Sequence, residues 1–165
     1  MKIHGPLSFG KRAVLVSTHM KKVFTKNEII EITKEIISSF KVGNTATIVA
    51  LSGDLGAGKT TVTQQIAKEL GVTQNVISPT FVIMKTYELN GGRNPLADFA
   101  RFIHIDAYRL KSHTELMTLG FAELLADPQN LILIEWPEMV AEIIPKNAIR
   151  IKLSHINENE REIEY

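Results

Sequence analysis

The stretch 52–61, SGDLGAGKTT, constrains this chain more than any other part of its sequence. It holds three glycines and only two aliphatic residues, so it builds little core. Residues 53–60 fit the pattern G-x-x-x-x-G-K-[ST], whose glycines allow left-handed dihedrals and let backbone N–H groups curl around an oxyanion. Such a loop must lead from a buried strand into the N-terminus of a helix, where unpaired N–H groups and the macrodipole favour phosphate. The stretch therefore predicts a phosphate-binding loop.

The residues on either side of the loop supply the elements that it requires. Residues 45–51 contain a short apolar run typical of a buried strand, and residues 59–70 carry apolar side chains at helical spacing. In this context Lys59 would place its ammonium on the β- and γ-phosphates of a nucleotide, and the Thr60 hydroxyl would bind Mg²⁺. ATP is favoured over GTP, because no N-K-x-D-like segment is present to recognise guanine. The residues predicted to contact the nucleotide are Gly53, Asp54, Leu55, Gly56, Ala57, Gly58, Lys59, Thr60 and Thr61.

The remaining patterns predict an α/β fold. Capping boxes at 25–28 and 112–115 predict helices that run to about residue 40 and to about residue 127. Short apolar segments predict further strands at 81–89, 99–105, 131–134, 148–153 and 161–165, with a turn at 90–95. We therefore expect an α/β, P-loop NTPase-like sandwich with a mixed, mainly parallel sheet and helices on both faces.

Length and charge suggest how the chain is organised. It has 165 residues and shows no repeat or linker, so residues 21–165 are predicted to form a single domain. Residues 1–20 are basic and are predicted to be a flexible extension. Four glutamates between residues 158 and 164 give the other end an acidic run. Short charge runs of this kind predict two solvated tails.

Composition excludes several kinds of chemistry. The chain has no cysteine, which rules out disulfides, thiolate metal sites and cysteine nucleophiles, and which fits a cytoplasmic protein. No apolar run approaches the ~20 residues that a membrane span needs, so no membrane association is expected. The net charge of +1 provides no overall attraction to nucleic acid.

Two carboxylates follow apolar strands at the place where ligands bind in open α/β sheets. Asp106 comes after FIHI and Glu135 after LILI. Because ligands lie beyond the carboxyl ends of parallel strands, both side chains could face the same phosphates. Either could hold Mg²⁺ while the other positions water, or either could be a helix cap or surface acid. Thr80, in the segment SPT, could bond the γ-phosphate or Mg²⁺, or belong to a polar loop.

Three further side chains near these carboxylates have open roles. Trp136, the only tryptophan, would pack on the site, on a partner or in the core. Arg109 would pair with a phosphate or with a carboxylate. His104 is expected to point into the sheet or toward its far face, and it receives no role.

Four segments in this order resemble the bacterial TsaE (YjeE-type) ATPases. They are GDLGAGKTT, SPTF, HIDAYRL and IEWPE, and the resemblance covers residues 23–153. It implies that residues 21–165 form a P-loop ATPase domain that is weakly active alone and works with two partner proteins, TsaB and TsaD. That assembly adds threonylcarbamoyl to adenosine 37 of tRNAs reading ANN codons. The protein would not perform the transfer itself, and its contact with tRNA would be indirect.

The resemblance also assigns roles to matching positions. It makes residues 53–61 the nucleotide loop, with the Mg²⁺-binding hydroxyl on Thr60, and Asp106 the Walker-B-like acid. Glu135 would lie near the metal, and its pairing with Trp136 would matter for activity. Thr80 matches the threonine of the family's S-P-T motif and would take part in catalysis. Thr25, which matches less fully, would lie near the base. The implied metal set is Thr60, Glu135 and Asp106, and the implied catalytic set is Lys59, Thr80, Asp106 and Glu135.

Two other classes of function fit parts of the sequence. A small P-loop kinase for a metabolite or nucleotide would have this size, and Asp106 followed by Tyr108 and Arg109 could bind an acceptor. Against a kinase, no basic lid segment is present. The third class is an interaction module that binds nucleotide as a switch, with incidental turnover.

Overall fold

The computed structural model describes residues 20–89 and 99–165. In chain order its elements are β1 (Lys21–Thr25), a 3₁₀ turn (Lys26–Glu28), α1 (Ile29–Ser38), β2 (Thr47–Gly53), α2 (Lys59–Glu69), β3 (Met84–Glu88), β4 (Arg101–Asp106), α3 (His113–Thr118), α4 (Phe121–Ala126), β5 (Asn130–Glu135), a 3₁₀ segment (Pro137–Ile143), β6 (Ile149–His155) and β7 (Glu160–Glu164). The turn predicted at 90–95 and residues 1–19 of the extension predicted at 1–20 lie outside the described residues.

Within residues 20–89 and 99–165, seven strands form one sheet in the order β1-β7-β6-β2-β5-β4-β3. The four central strands β6, β2, β5 and β4 run parallel, whereas β3, β7 and β1 join antiparallel at the two sides. Parallel strands need both faces covered, and β5 is buried along its whole length. The mixed sheet with a parallel centre confirms the predicted fold class.

Helices cover both faces of the sheet, each over its own apolar layer. On one face α1 and α2 pack against alternate residues of the central strands, including Val49 and Leu133. On the other, α3, α4 and the segment Pro137–Ile143 pack on the intervening residues, including Ile48 and Ile134. This alternation follows from the two-residue period of side chains along a strand. None of the helices in the described ranges is long and apolar enough to cross a membrane.

Two predicted elements have different bounds in the structure. The helix predicted from residue 112 to about 127 is broken into α3 and α4, because Gly120 adopts a left-handed conformation with φ of 83°. The strand predicted from residue 81 begins only at Met84. The N–H groups of Val82 and Ile83 both donate to the carbonyl of Pro79, which closes a tight turn before the strand.

The acidic end of the chain is not a solvated tail. It forms β7 between β1 and β6, and Ile163 is fully buried. Lys21 of β1 lies 2.8 Å from Glu162 and 3.4 Å from Glu164, so opposite charges are neighbours on β1 and β7. Met20 exchanges two backbone hydrogen bonds with Tyr165. The exposed ion pairs add little stability. What holds β1 and β7 together is their backbone pairing and the burial of Ile163.

Candidate functional site

The loop between β2 and α2 has the backbone conformation that its sequence predicts. Gly53, Gly56 and Gly58 have φ of 144°, 79° and 100°, a region that side-chain-bearing residues rarely occupy. Gly58 is the residue before the first turn of α2, whose N-terminus therefore opens onto the loop. A Cβ on Gly53 would lie 2.4 Å from the carbonyl oxygen of Leu153. The first glycine is thus required by packing against β6 as well as by its dihedral.

Lys59 is folded back onto this loop. Its Nζ donates to the carbonyl oxygens of Gly53 at 2.6 Å and Asp54 at 2.9 Å. The same ammonium lies 3.6 Å from the centroid of the Trp136 ring, a cation–π contact. Burial lowers the pKa of Lys59, and nearby carboxylates, of which Glu135 acts most strongly, oppose this shift. The structure therefore places a desolvated positive charge where the predicted phosphates would bind.

The lowered pKa of Lys59 predicts a pH dependence of stability in the nucleotide-free protein. Between the lowered pKa and the ordinary value of 10.5, the unfolded chain holds a proton that the folded chain has released. The free energy of unfolding contributed by Lys59 therefore rises with pH across that window. We expect the stability of the wild type relative to Lys59→Met, measured by chemical denaturation at pH 8 and pH 10, to increase. A relative stability that decreases would contradict this assignment.

Glu135, at the end of β5, is buried and has hydrogen-bond partners on both carboxylate oxygens. Its Oε2 accepts a hydrogen bond from the Thr60 hydroxyl at 3.0 Å. Its Oε1 lies 3.1 Å from the Thr63 hydroxyl and 2.8 Å from Nε2 of His104. A carboxylate from β5 is therefore joined directly to the threonine predicted to bind Mg²⁺.

Asp106 lies beside Glu135, because β4 and β5 pair in parallel with these two residues in register. Its carboxylate accepts hydrogen bonds from the hydroxyls of Ser78, at 2.9 Å, and Thr80. It also accepts one from the backbone N–H of Tyr108 at 3.0 Å. The structure thus brings the SPT segment to Asp106, and leaves Glu135 to the phosphate-binding loop.

A cavity of about 420 Å³ joins these groups at the carboxyl end of the sheet. Most of the predicted site residues line it, and the full lining is Leu55, Gly56, Gly58, Lys59, Thr60, Thr61, Ser78, Thr80, Asp106, Tyr108, Glu135 and Trp136. The loop, both carboxylates, the SPT threonine and the tryptophan therefore surround one space.

A second cavity, of about 430 Å³, lies on the other side of the loop. Gly58 and Thr61 line both cavities, and Ala57, Phe24, Lys26 and Arg161 line the second. Thr25 falls between two of these lining residues, but its own hydroxyl donates to Glu28. The structure therefore places Thr25 next to the second cavity, with its hydroxyl already engaged.

The aromatic residues at the mouth of the site make two contacts that the sequence did not show. Trp136 has a left-handed conformation with φ of 59°, and its ring centroid lies 5.0 Å from that of Tyr108. The guanidinium of Arg109 lies 4.5 Å from the centroid of Phe81. Arg109 was predicted to pair with a phosphate or with a carboxylate, and among the described residues the contact found for it is this exposed aromatic ring.

The sequence assigned no role to His104 and predicted that it points into the sheet or toward its far face. It shares the face of the sheet that α2 covers and bonds Glu135. Thr63 and Ser78 also hold the carboxylates and were not singled out. For His104 and Thr63 the spacing in the sequence indicated a position on the same face as a predicted site residue. His104 stands two residues before Asp106 on one strand, and Thr63 stands four residues after Lys59 on one helix.

The donors around the cavity suit a magnesium ion. Thr60, Glu135 and Asp106 offer only oxygen atoms, which Mg²⁺ prefers. Within the described ranges no group of three or more His, Cys, Asp or Glu side chains forms a metal site by itself. In nucleotide sites Mg²⁺ is usually held by one or two carboxylates together with the phosphates, and Glu135 and Asp106 could supply these carboxylates.

The fold and the loop together define a P-loop nucleotide-binding protein. The family model described as "Threonylcarbamoyl adenosine biosynthesis protein TsaE" matches residues 23–163, which confirms the resemblance and extends it into β7. The chain belongs to the TsaE family.

Individual relatives agree with the family match. The chain is 43% identical over 115 residues to the tRNA threonylcarbamoyladenosine biosynthesis protein TsaE of Rickettsia felis, a match that spans 69% of this chain and 61% of that protein. It is 39% identical over 118 residues to the protein of the same name from Bacillus subtilis, spanning 72% and 68%. The crystal structure of Bacillus subtilis YdiB superposes with a TM-score of 0.66 at 29% identity, covering 89% of this chain and 84% of that one.

Proposed function

We propose that this protein is a Mg²⁺-dependent ATPase that serves the threonylcarbamoyl modification of adenosine 37 in ANN-decoding tRNAs. The family and the names of its relatives support the pathway. The single observation that carries the ATPase assignment is the contact between Thr60 of the loop and Glu135, with Asp106 in register beside it. Phosphoryl transfer to water uses a bound Mg²⁺ and a group that orients the water, and a carboxylate pair beside the loop can supply a residue for each role.

Each residue of the site has a separate role in the proposed hydrolysis. The loop N–H groups and Lys59 hold the phosphates, and the ammonium leaves its carbonyl partners to do so. Thr60 and Glu135 would hold Mg²⁺, and the ion would neutralise charge on the phosphates. Asp106, held by Ser78 and Thr80, orients the attacking water. Glu135 is assigned to the metal because it already touches Thr60, whereas Asp106 touches the SPT segment.

Paired substitutions distinguish the two carboxylates. Glu135→Gln should raise the Mg²⁺ concentration for half-maximal hydrolysis by about 10–100-fold, because it removes a charged ligand. Asp106→Asn should lower kcat by about 100-fold and leave that concentration within about twofold, because it weakens proton acceptance from water. Steady-state hydrolysis across a Mg²⁺ titration measures both quantities. If the two variants exchange these effects, the metal ligand is Asp106.

The second cavity is the proposed site for the base and sugar. It adjoins the loop through Gly58 and Thr61 and is lined by both apolar and charged side chains. We infer that Phe24 and Ile29 contact the base, with Thr25 at its edge. Calorimetric titration with ATP and GTP tests the proposed preference for adenine, and equal affinities would reject it.

Exposed apolar residues near the cavity are the proposed contact for the partner proteins, homologues of TsaD and TsaB. Phe81 and Leu55 are 85% and 79% exposed, and Val82 is 66% exposed. Because Phe81 follows Thr80 directly, a protein bound there would also affect the SPT segment and its bond to Asp106. The chain would thus reach tRNA indirectly, through these partners, in the cytoplasm.

Reconstitution with the partners tests the proposed function. Hydrolysis by the wild type should be slow alone and faster when the TsaD and TsaB homologues of the same organism are added. Phe81→Ser should raise the partner concentration for half-maximal stimulation about tenfold, the cost of losing an interface anchor. Met117→Ser, which changes an exposed apolar residue on α3, is the matched control and should behave as the wild type. Equal wild-type rates with and without partners would refute the partner-dependent ATPase.

A further inference from the structure

His104 occupies an apolar position with a polar side chain. It lies in the middle of β4, with Leu133 of β5 and Lys85 of β3 as its register neighbours, and it is completely buried. Its neighbours on the same face of the sheet include Phe102 and Leu133. Burying an imidazole here has a cost unless its polar atoms are bonded, and an aliphatic residue would fill the space without that cost. The contribution of His104 must therefore come from its bond.

The bond of His104 is made through one ring nitrogen. Nε2 lies 2.8 Å from Oε1 of Glu135, while Nδ1 has no hydrogen-bond partner among the described residues. A carboxylate only accepts, so the hydrogen of this bond is carried by Nε2. Buried N–H groups without a partner are rarer than buried acceptors without one. The unpaired Nδ1 therefore costs less free energy as an acceptor than it would as a donor. The ring orientation is thus set by Glu135.

The two oxygens of Glu135 have separate partners. Oε1 receives His104 and the Thr63 hydroxyl, both from inside the protein, while Oε2 faces Thr60 at the edge of the cavity. Because two donors hold Oε1, the carboxylate cannot rotate without breaking a buried hydrogen bond. Oε2 is therefore the oxygen directed at the position proposed for Mg²⁺.

We propose that His104 is a positioning residue, which fixes Glu135 so that Oε2 is presented to the metal bound at Thr60. Its consequence for hydrolysis rests on the proposed function. The bond itself, and its effect on the carboxylate, do not depend on turnover. His104 touches neither substrate nor metal in this account and acts only through Glu135.

Three variants separate positioning from packing. His104→Leu fills the space and removes the donor, whereas His104→Gln keeps an N–H group that reaches about as far as Nε2. Phe102→Leu is the matched control, since it perturbs the next inward-facing residue of β4, which packs on Tyr87, without touching Glu135. Each is measured for thermal stability, ADP affinity with and without Mg²⁺ by calorimetry, and the Mg²⁺ dependence of ATP hydrolysis with the partners present.

We expect His104→Leu to raise the Mg²⁺ requirement for hydrolysis about 10–100-fold, as loss of a residue supporting a metal ligand usually does. The Mg²⁺-dependent part of ADP affinity should fall, while Mg²⁺-free ADP affinity stays within about twofold. His104→Gln should recover most of the loss, and Phe102→Leu should change stability alone. His104→Leu and Phe102→Leu showing the same pattern would overturn the proposal, because the effect would then be packing.

Nuclear magnetic resonance of the His104 ring tests whether Nε2 donates a hydrogen bond to Glu135, even if His104→Leu fails to fold. Long-range ¹H–¹⁵N correlation spectra of the wild type, with His104 assigned by its absence in His104→Gln, should show the hydrogen on Nε2. Glu135→Gln should shift that Nε2 signal. A ring protonated only at Nδ1 would overturn the proposal. Absence of hydrolysis by the wild type with its partners would instead remove the ATPase assignment, and the two failures are thereby distinguishable.

Discussion

Lys59→Ala should lose ATP hydrolysis by about a thousandfold or more in the presence of the partner proteins. Lys59 is the cation that the loop encloses, and it is 5% exposed. Removing a preorganised charge that stabilises the transferring phosphoryl group typically lowers the rate by about 10²–10³-fold. Loss of ground-state binding lowers the rate further at limiting nucleotide, so we expect kcat/KM to fall about a thousandfold. Steady-state kinetics with purified partners measures the effect.

Lys68→Ala provides the control for that experiment. Lys68 lies on the same helix, is exposed and does not line the cavity around Thr60. Its loss changes the net charge by the same amount and should leave kcat and KM unchanged. Lys59→Ala turning over ATP as fast as Lys68→Ala would remove the phosphate-binding role from the loop.

Gly53→Ala should destabilise the protein by about 2–6 kcal/mol. The φ of 144° costs about 1–3 kcal/mol for a residue with a side chain, and forcing a methyl group against a packed carbonyl costs a similar amount. The new Cβ would meet Leu153 O at 2.4 Å, so β2 and β6 must separate or the loop must shift. Chemical denaturation at neutral pH measures the loss.

Substitutions at two other glycines separate the dihedral cost from the steric cost of contact with Leu153. A Cβ on Gly56, with φ of 79°, would meet nothing within 4 Å, so Gly56→Ala reports the dihedral cost alone. A Cβ on Gly43 would meet only the carbonyl oxygen of Thr45 at 3.9 Å, so Gly43→Ala should change stability by less than about 0.5 kcal/mol. We expect the order Gly53, Gly56, Gly43 from largest to smallest loss. Equal losses at Gly53 and Gly56 would show that contact with Leu153 is unimportant.

The sequence predicted those parts of the fold that local patterns determine. The β2–loop–α2 unit follows from an apolar run, three glycines and helical spacing within 26 residues, and it was located to within two residues. The strand β5 follows from four consecutive aliphatic residues. In contrast, β1 has the sequence KKVFT, whose charged residues suit a sheet edge but give no strong strand signal. Its place was set by pairing with β7, almost the whole chain away.

The candidate site was predictable in its members and not in its contacts. That Asp106 and Glu135 each end a strand and could face the same phosphates was predictable, because ligands bind at the carboxyl ends of parallel strands. Which hydroxyl each carboxylate bonds depends on the register of β4 with β5 and on the turn after Thr80, both of which are tertiary. His104 was missed for a similar reason: the partner found for it among the described residues, Glu135, is 31 residues away, and its spacing from Asp106 alone does not identify that contact.

The segment after Thr80 shows where local rules gave the wrong bounds. Ile83 has a φ of 66°, a conformation that β-branched residues rarely adopt. It is held there by a hydrogen bond from its N–H to Pro79 and by one from the Asp106 N–H to its carbonyl. Such strain persists only where surrounding contacts fix it, and here those contacts adjoin the candidate site. Strand propensity at residues 81–83 was therefore overridden by the geometry around Asp106.

Calorimetric titration of folded, nucleotide-free protein with ATP and Mg²⁺ tests the central claim most directly. The account predicts saturable binding of one nucleotide per chain, lost in Lys59→Ala and retained in Lys68→Ala, with the emission of Trp136 changing in parallel as the Lys59 ammonium leaves its ring. The account would be contradicted if no nucleoside triphosphate, at millimolar concentration, produced either a heat of binding or a change in Trp136 emission.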